Sequence, residues 1–512
     1  MAKVSQLKMG AVISYVTLII NTIMPIIYTP IMLSILGKDE HGLYTFAHSI
    51  VSYLTLLSFG FGSSIVRYMT KYRALEDREN EEKTFGLFMI VYGVFSALVL
   101  IGGVILSFNS GALLTDTANS VYVDKMKILV LIMTLNVMIS FVSAVFSSVI
   151  IAHEQFIFYK LLTLFSAVAI PCASIILLFC GFASIGITLS TTIVNFILLV
   201  GHSIYCTKKL KIKPRFKNLD FNVLKEIIRF SAFIFIAEIS NMLYMATDRF
   251  LLGKMVTLAS VSIYSTGATF STIMNSLTVG ISDVLMPKVT KMVFKGASNK
   301  EMDDIFIRVG RMQFIIVSFV MSSFAVFGRQ FMPIFAGEGY DDSYWVAIIL
   351  MVPLAVPLIQ SVAVNIITAR NKHRFRSFVL FGVAILNVVL TVLALWLGME
   401  GIGAALASAV AAIIGTGAIM NWYYHKKMQI DIPRFWFNVL KLCPVPVGMT
   451  LLGFGITYFV DVSGIWRFLI GAVIYTIVYL PLLWITSLNK YEKGIFEDIF
   501  KKVRSKFRKG TV

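Results

Sequence analysis

Among the ionisable side chains inside apolar stretches of this chain, four are candidates for chemistry: Glu238, Asp248 and Arg249 within residues 229 to 253, and Asp283 within 258 to 286. A charge at the centre of a bilayer costs about 2.5 to 3.5 kcal/mol even on insertion-based scales, so ionisable groups in membrane spans mark ion or substrate paths. Glu238, near the middle of its stretch, is the candidate proton or sodium site, since a bound proton or cation offsets the cost of burying its charge. Asp283 is the second ion-coupling candidate; it lies near the inner end of its stretch, where a structural role competes. Arg249 carries a planar, permanently charged fork that matches phosphate oxygens and makes it a candidate anion anchor. The alternatives are a pair with Asp248 or a side chain that reaches back to the interface. Eleven residues separate Glu238 from Arg249, which places both on one helix face but about 16 Å apart along the axis.

Between Leu258 and Met286 twelve of 29 positions are Ser, Thr, Asn or Tyr, including Tyr264 and Asn275. Hydroxyls at this density either pack helices closely or wet a face that hydrogen-bonds sugars. In the interior of the stretch from 377 to 397 the comparable polar positions are Asn387 and Thr391. His48 is a further polar group within a stretch. Pro25 and Pro30 remove backbone donors from the first apolar stretch and predict a kink there.

The elements that must position these groups are fourteen apolar stretches, at about 10 to 36, 42 to 66, 84 to 107, 126 to 152, 157 to 180, 183 to 206, 229 to 253, 258 to 286, 305 to 328, 343 to 369, 377 to 397, 401 to 424, 437 to 460 and 465 to 487. A helix needs roughly 20 apolar residues to cross a hydrocarbon core. With 58% apolar and only 14% charged residues in 512, the pattern predicts an all-α integral membrane protein of fourteen transmembrane helices and excludes a β-barrel. The first run, about 27 residues, is too long for a signal-peptide core and is expected to remain as a span.

Of the 45 lysines and arginines, 38 fall on the side that holds both termini, six fall in the alternate loops, and Arg249 lies within a span. Cytoplasmic loops retain basic residues, so both termini are expected in the cytoplasm. This asymmetry accounts for the net charge of +18 and points to anionic inner-leaflet lipid rather than nucleic acid. In the tail, Ile495, Phe496, Ile499, Phe500, Val503 and Phe507 recur at helical spacing among five basic residues, the pattern of an amphipathic helix lying on the inner leaflet. Cys172, Cys180, Cys206 and Cys443 all fall in expected spans, which argues for packing rather than disulfides.

The chain also repeats itself. At an offset of 217, Ala152, Phe158, Ala167, Leu178, Gly181, Ile185, Gly186 and Leu189 coincide with Ala369, Phe375, Ala384, Leu395, Gly398, Ile402, Gly403 and Leu406; Leu36-Gly37-Lys38 meets Leu252-Gly253-Lys254 at 216, and Tyr44 and Gly60 meet Tyr264 and Gly280 at 220. Six spans per copy make the repeats parallel, with two C-terminal helices added. The expected organisation is a six-helix bundle at 1–206, a basic cytoplasmic linker at 207–228, a second bundle at 229–424, helices 13 and 14 at 425–487 and a basic tail at 488–512. Two facing parallel bundles imply a cavity that opens to either side by rocking, which is transporter architecture.

Tyr28-Thr29-Pro30, Ile35-Leu36-Gly37 and Glu40-His41-Gly42-Leu43-Tyr44, with Asp248-Arg249-Phe250-Leu251-Leu252-Gly253, Ile263-Tyr264-Ser265, Met286-Pro287, Asn387-Val388-Val389-Leu390 and Gly401-Ile402-Gly403-Ala404-Ala405, resemble the Wzx-type polysaccharide flippases of the multidrug/oligosaccharidyl-lipid/polysaccharide exporter superfamily. The resemblance implies a protein of the bacterial plasma membrane that moves an undecaprenyl-pyrophosphate-linked oligosaccharide from the inner to the outer leaflet, for capsule, O-antigen or exopolysaccharide. It implies a central cavity lined mainly by spans 1, 2, 7 and 8, with Asn21, Tyr28, Asp248, Arg249, Tyr264 and Asn275 as candidate substrate contacts. Polysaccharide polymerase and chain-length machinery are the implied partners. Span 1 lacks the basic residues that related flippases place in the cavity, so a multi-arginine phosphate clamp is not expected.

No phosphate loop, paired metal-binding histidines or nucleophile elbow is present. The expectation is therefore a non-enzyme without cofactor or metal, driven by proton or sodium coupling. A cation-coupled multidrug exporter of the same superfamily is the first alternative. A membrane glycan polymerase or ligase is the second, although the longest outer connection, about 108 to 125, is short for a catalytic domain.

Overall fold

The structure, a computed structural model, describes residues 2–114, 120–219, 221–370, 372, 374–459, 464–494 and 497, and every regular element among them is helical. Apart from Glu497, the expected tail helix at 495–508 lies outside the described residues, as do the side chains of 279–288, Asp283 among them.

The first half of the chain forms α1 (Ala2–Ser52), α2 (Phe61–Ala74), α3 (Arg78–Phe108), α4 (Ser110–Leu113), α5 (Ser120–Ala152), α6 (Phe156–Phe179) and α7 (Ala183–Ile204). The second forms α8 (Phe221–Met255), α9 (Leu258–Phe294), α10 (Asn299–Ala336), α11 (Asp341–Ile359), α12 (Ser361–Ala369), α13 (Arg374–Trp396) and α14 (Glu400–Ala412), then α15 (Met420–Lys426), α16 (Ile432–Leu440), α17 (Pro444–Phe459) and α18 (Ile465–Thr486). Among the described residues ten helices are long and apolar enough to cross a membrane, or eleven if the bent pair α16 and α17 is one span. The protein is a multi-pass membrane protein. α8 and α9, at 35 and 37 residues, are each more than 50 Å long at about 1.5 Å per residue.

Two breaks depart from the simple span map. α1 runs 51 residues, about 77 Å if straight, but Gly37 interrupts its helical geometry at φ 70° and ψ −180°. Glycine alone takes that φ without a Cβ penalty, so α1 is two helices meeting at a kink at Gly37, one for span 1 and one for the start of span 2. The expected second span, 42 to 66, is itself broken: a 3₁₀ turn at Tyr53–Ser58 ends on Phe59 at φ 49° and Gly60 at φ 65°, from which α2 restarts.

Helix starts follow their sequence signals. Asp77 caps α3 by accepting from Asn80 N at 3.1 Å. Ser298 and Glu301 form a reciprocal capping box at α10. Asp431 caps α16, which has proline in its first turn.

The chain divides into two compact units. Residues 1–276 and 374–415 make the first, and 277–373 with 416–512 make the second. In the first, Phe61, Phe85, Phe88, Tyr92, Phe141 and Phe146 build an aromatic core among α2, α3 and α5. The first repeat meets the early helices of the second within this unit: Gly42 lies so close to the Leu258 carbonyl that a Cβ would stand 1.9 Å from it, and Phe46 packs on Gly253 and stacks on Phe250. In the second unit α10, α17 and α18 share a core of Val326, Phe327, Met449, Tyr475 and Tyr479. There the Arg311 guanidinium, 5% exposed, donates to Glu492 at 2.6 and 3.0 Å and to the backbone carbonyls of Asn438 and Ser487.

Candidate functional site

The most unusual polar group of the first unit is Asp248 on α8. Its carboxylate is fully buried, and four neutral side chains from three other helices donate to it. Tyr264 Oη of α9 and Ser408 Oγ of α14 each lie 2.6 Å from Oδ2. On α13, Thr391 Oγ1 and Asn387 Nδ2 lie 3.0 and 3.1 Å from Oδ1. Asn387 and Thr391 stand one turn apart on the buried side of α13, whose residues 378–396 are otherwise apolar, so both reach the same carboxylate. A carboxylate in this setting is costly unless hydrogen-bonded, and no lysine or arginine contacts it among the described residues.

The hydrogen count of this cage is short. Ser408 and Thr391 carry one hydroxyl hydrogen each, yet both also lie near Asn387 Oδ1, at 3.0 and 3.4 Å. If their hydrogens go to Asp248, the Asn387 carbonyl receives neither. A carboxylate, a carboxamide oxygen and three hydroxyl oxygens thus converge on one point, an oxygen set suited to a proton shared among them or to a hard cation.

Arg249, the next residue, turns away because successive helical residues diverge by about 100°. Its Nε donates to Ser265 Oγ at 3.2 Å and its Nη1 to the Met245 carbonyl at 3.3 Å, and the side chain stays partly exposed. Close to it, His41 Nδ1 and Ser262 Oγ are 2.7 Å apart, both buried. The alternative of an Asp248–Arg249 pair is replaced by two separate sites, a sealed carboxylate and a partly exposed guanidinium.

The other candidates spread out. Glu238 is exposed on α8, ten residues or about 15 Å along the axis from Asp248. Asn275 is exposed on α9. Asn21 and Tyr28 line one pocket between α1 and α6. His48 Nδ1 lies 3.4 Å from Ser52 Oγ, and its ring centroid lies 6.4 Å from that of Tyr44. Of the candidate substrate contacts, Tyr264 joins Asp248. Ser408 carried no sequence signal because single small polar residues are common in packed helices, and His41 entered only within a motif; Asn387 and Thr391 carried a signal in their four-residue spacing.

Residues 7–293, more than half of the chain, match the model of a family described as polysaccharide biosynthesis protein. The chain belongs to that family. It is a flippase family of the multidrug/oligosaccharidyl-lipid/polysaccharide exporter superfamily, as the motif resemblance implied. No curated protein sequence matches this family member. Its fold is shared with solved transporters. The lipid II flippase MurJ in an inward closed conformation aligns with a TM-score of 0.71 at 17% identity, over 92% of this chain and 97% of that one. An inward-facing multidrug resistance MATE family transporter aligns at 0.67 and 13% identity, over 83% and 98%. The Vibrio cholerae MATE transporter VcmN in its bent form aligns at 0.56 and 15%, over 85% and 99%.

Proposed function

We propose that the protein flips an undecaprenyl-pyrophosphate-linked oligosaccharide from the inner to the outer leaflet of a bacterial plasma membrane by alternating access. The observation that carries this reading is family membership over residues 7–293. In the proposal the chain crosses fourteen times as two parallel six-helix repeats, 1–206 and 229–424, plus two further helices, with both termini cytoplasmic. Polymerase and chain-length proteins take the product.

Energy coupling is assigned to the Asp248 cage. A cation or proton taken up by Asp248, Asn387, Thr391, Ser408 and Tyr264 joins α8, α9, α13 and α14 around one charge, and losing it leaves an uncompensated carboxylate among those helices. Binding of that kind biases one arrangement of the four helices over another, which is what coupling requires. Arg249 supplies the electrostatic contact to the diphosphate, with its fork free of Asp248.

The test is transport of lipid-linked oligosaccharide, extracted from a strain lacking this gene, into proteoliposomes under separate sodium and pH gradients. Outward movement driven by one gradient supports the proposal; the choice of gradient names the ion. The likeness to multidrug transporters keeps a second reading, a cation-coupled multidrug exporter, which the same vesicles test with organic cations as substrate. Movement of those cations without movement of the glycolipid would replace the first reading by the second.

A further inference from the structure

Two prolines on neighbouring helices face the same small pocket. Pro25 lies inside α1 and Pro171 inside α6. Proline has no amide hydrogen, so each deprives the carbonyl four residues earlier of its helical donor. Those carbonyls belong to Asn21 and Ala167, and both residues line the pocket together with the two prolines.

The same turn brings further polarity. Tyr28, which also lines the pocket, has a buried hydroxyl that neighbours Ser174 of α6, and Thr29 adds a second hydroxyl to the lining. Within a membrane, polar groups freed by proline are satisfied by neighbouring side chains, waters or ligands. Two carbonyls, the Asn21 carboxamide and two hydroxyls therefore converge between α1 and α6.

The chemistry of the lining selects the occupant. Among the described residues no charged one lines the pocket, so a bound cation or anion would lack a counter-charge there. Acceptors outnumber donors, which calls for a neutral ligand bearing several O–H groups. Met24, Pro25 and Pro171 add an apolar wall. A sugar ring fits both demands, with hydroxyls for the acceptors and a C–H face for the prolines. The cavity of about 170 Å³ compares with about 30 Å³ for one water; it has room for one ring and not for an oligosaccharide.

We infer that this α1–α6 pocket is a subsite that recognises a single sugar unit of the transported glycan, a reading that rests on the proposed function. The test uses the full chain in lipid nanodiscs and the lipid-linked oligosaccharide extracted from the deletion strain. Pro25→Ala and Pro171→Ala each restore an amide that occupies the freed carbonyl, and Tyr28→Phe removes the hydroxyl. Each should weaken binding about three- to tenfold, the worth of one net hydrogen bond, while the proline replacements leave thermal stability unchanged or raised. That opposition separates ligand recognition from a structural role, and the near-isosteric Tyr28→Phe guards against misfolding. Wild-type binding matched by all three variants overturns the subsite and leaves a pocket of ordered water only. Failure of the wild type to bind the glycolipid overturns the parent reading and this one with it.

Discussion

At the scale of single residues, Asp248 and Arg249 are adjacent in sequence and separate in chemistry. Asp248→Asn keeps the size of the side chain and removes its charge, so the cage has nothing left to neutralise. The expected outcome is substrate binding at wild-type affinity with gradient-driven flipping lost, measured in the proteoliposomes described above. Glu238→Gln provides the contrast: coupling through that exposed carboxylate instead would appear as loss in Glu238→Gln and retention in Asp248→Asn. Arg249→Ala should lower surface polysaccharide at matched expression, and Arg249→Lys should restore it only in part, because a point charge lacks the bidentate fork. Normal polymer from Arg249→Ala would take this residue out of the substrate path. Both residues were visible in the sequence as charges within an apolar stretch. Their opposite orientations were not, since the faces they present depend on where α9, α13 and α14 pack.

At the scale of elements, close approach is set by glycine. A valine at position 42 would place its Cβ 1.9 Å from the Leu258 carbonyl, and a backbone oxygen cannot swing aside as a side-chain tip can. Gly42→Val is therefore expected to pry α1 from the start of α9. A disulfide engineered across these helices should form readily in the parent chain and poorly in the variant; equal yields would refute the contact. The cap of α3 shows the same local logic in polar form. Hydrogen bonds from the Asn80 amide and side chain hold the Asp77 carboxyl below the usual carboxylate range. A carboxyl with a lowered folded-state pKa stabilises above its unfolded value, and the benefit fades as pH falls through the folded one. Protection of the amides in the first turn of α3, relative to their intrinsic exchange rate at each pH, should accordingly fall in acid for the parent chain, and be low already at neutral pH in Asp77→Ala. Caps such as Asp77, Ser298 and Asp431 are legible from sequence because the signal and the partner lie within one turn. The break at Phe59 and Gly60 is not, since the apolar pattern runs straight through it.

At the scale of the whole molecule, the proposed topology is open to labelling. In a background without Cys172, Cys180, Cys206 and Cys443, single cysteines at Glu76, Lys213 and Lys300 should be shielded from an impermeant reagent in intact cells, and one at Glu338 should react; all four positions are exposed. Labelling of position 213 from outside would overturn the orientation. The tie between Arg311 and Glu492 joins the end of the chain to α10 in the second unit, and both groups are almost completely buried. Removing one partner of such a pair costs about 3 to 5 kcal/mol, because the other charge is left buried. Glu492→Gln should therefore lower the melting temperature in detergent, whereas a double replacement of both residues by apolar ones should recover much of it.

Composition and hydropathy alone determined that this is a helical membrane protein, because a bilayer rejects any backbone that does not satisfy itself and twenty apolar residues are the measure of that rule. The short motifs also determined the family, which the match over residues 7–293 supports. The sites were another matter. Asp248 meets partners 16, 139, 143 and 160 residues away, and the carbonyls freed by Pro25 and Pro171 sit on helices separated by more than a hundred residues. A side chain's chemistry is written at its own position. Which other side chains share its dielectric, and whether they neutralise it, is decided only when the helices pack.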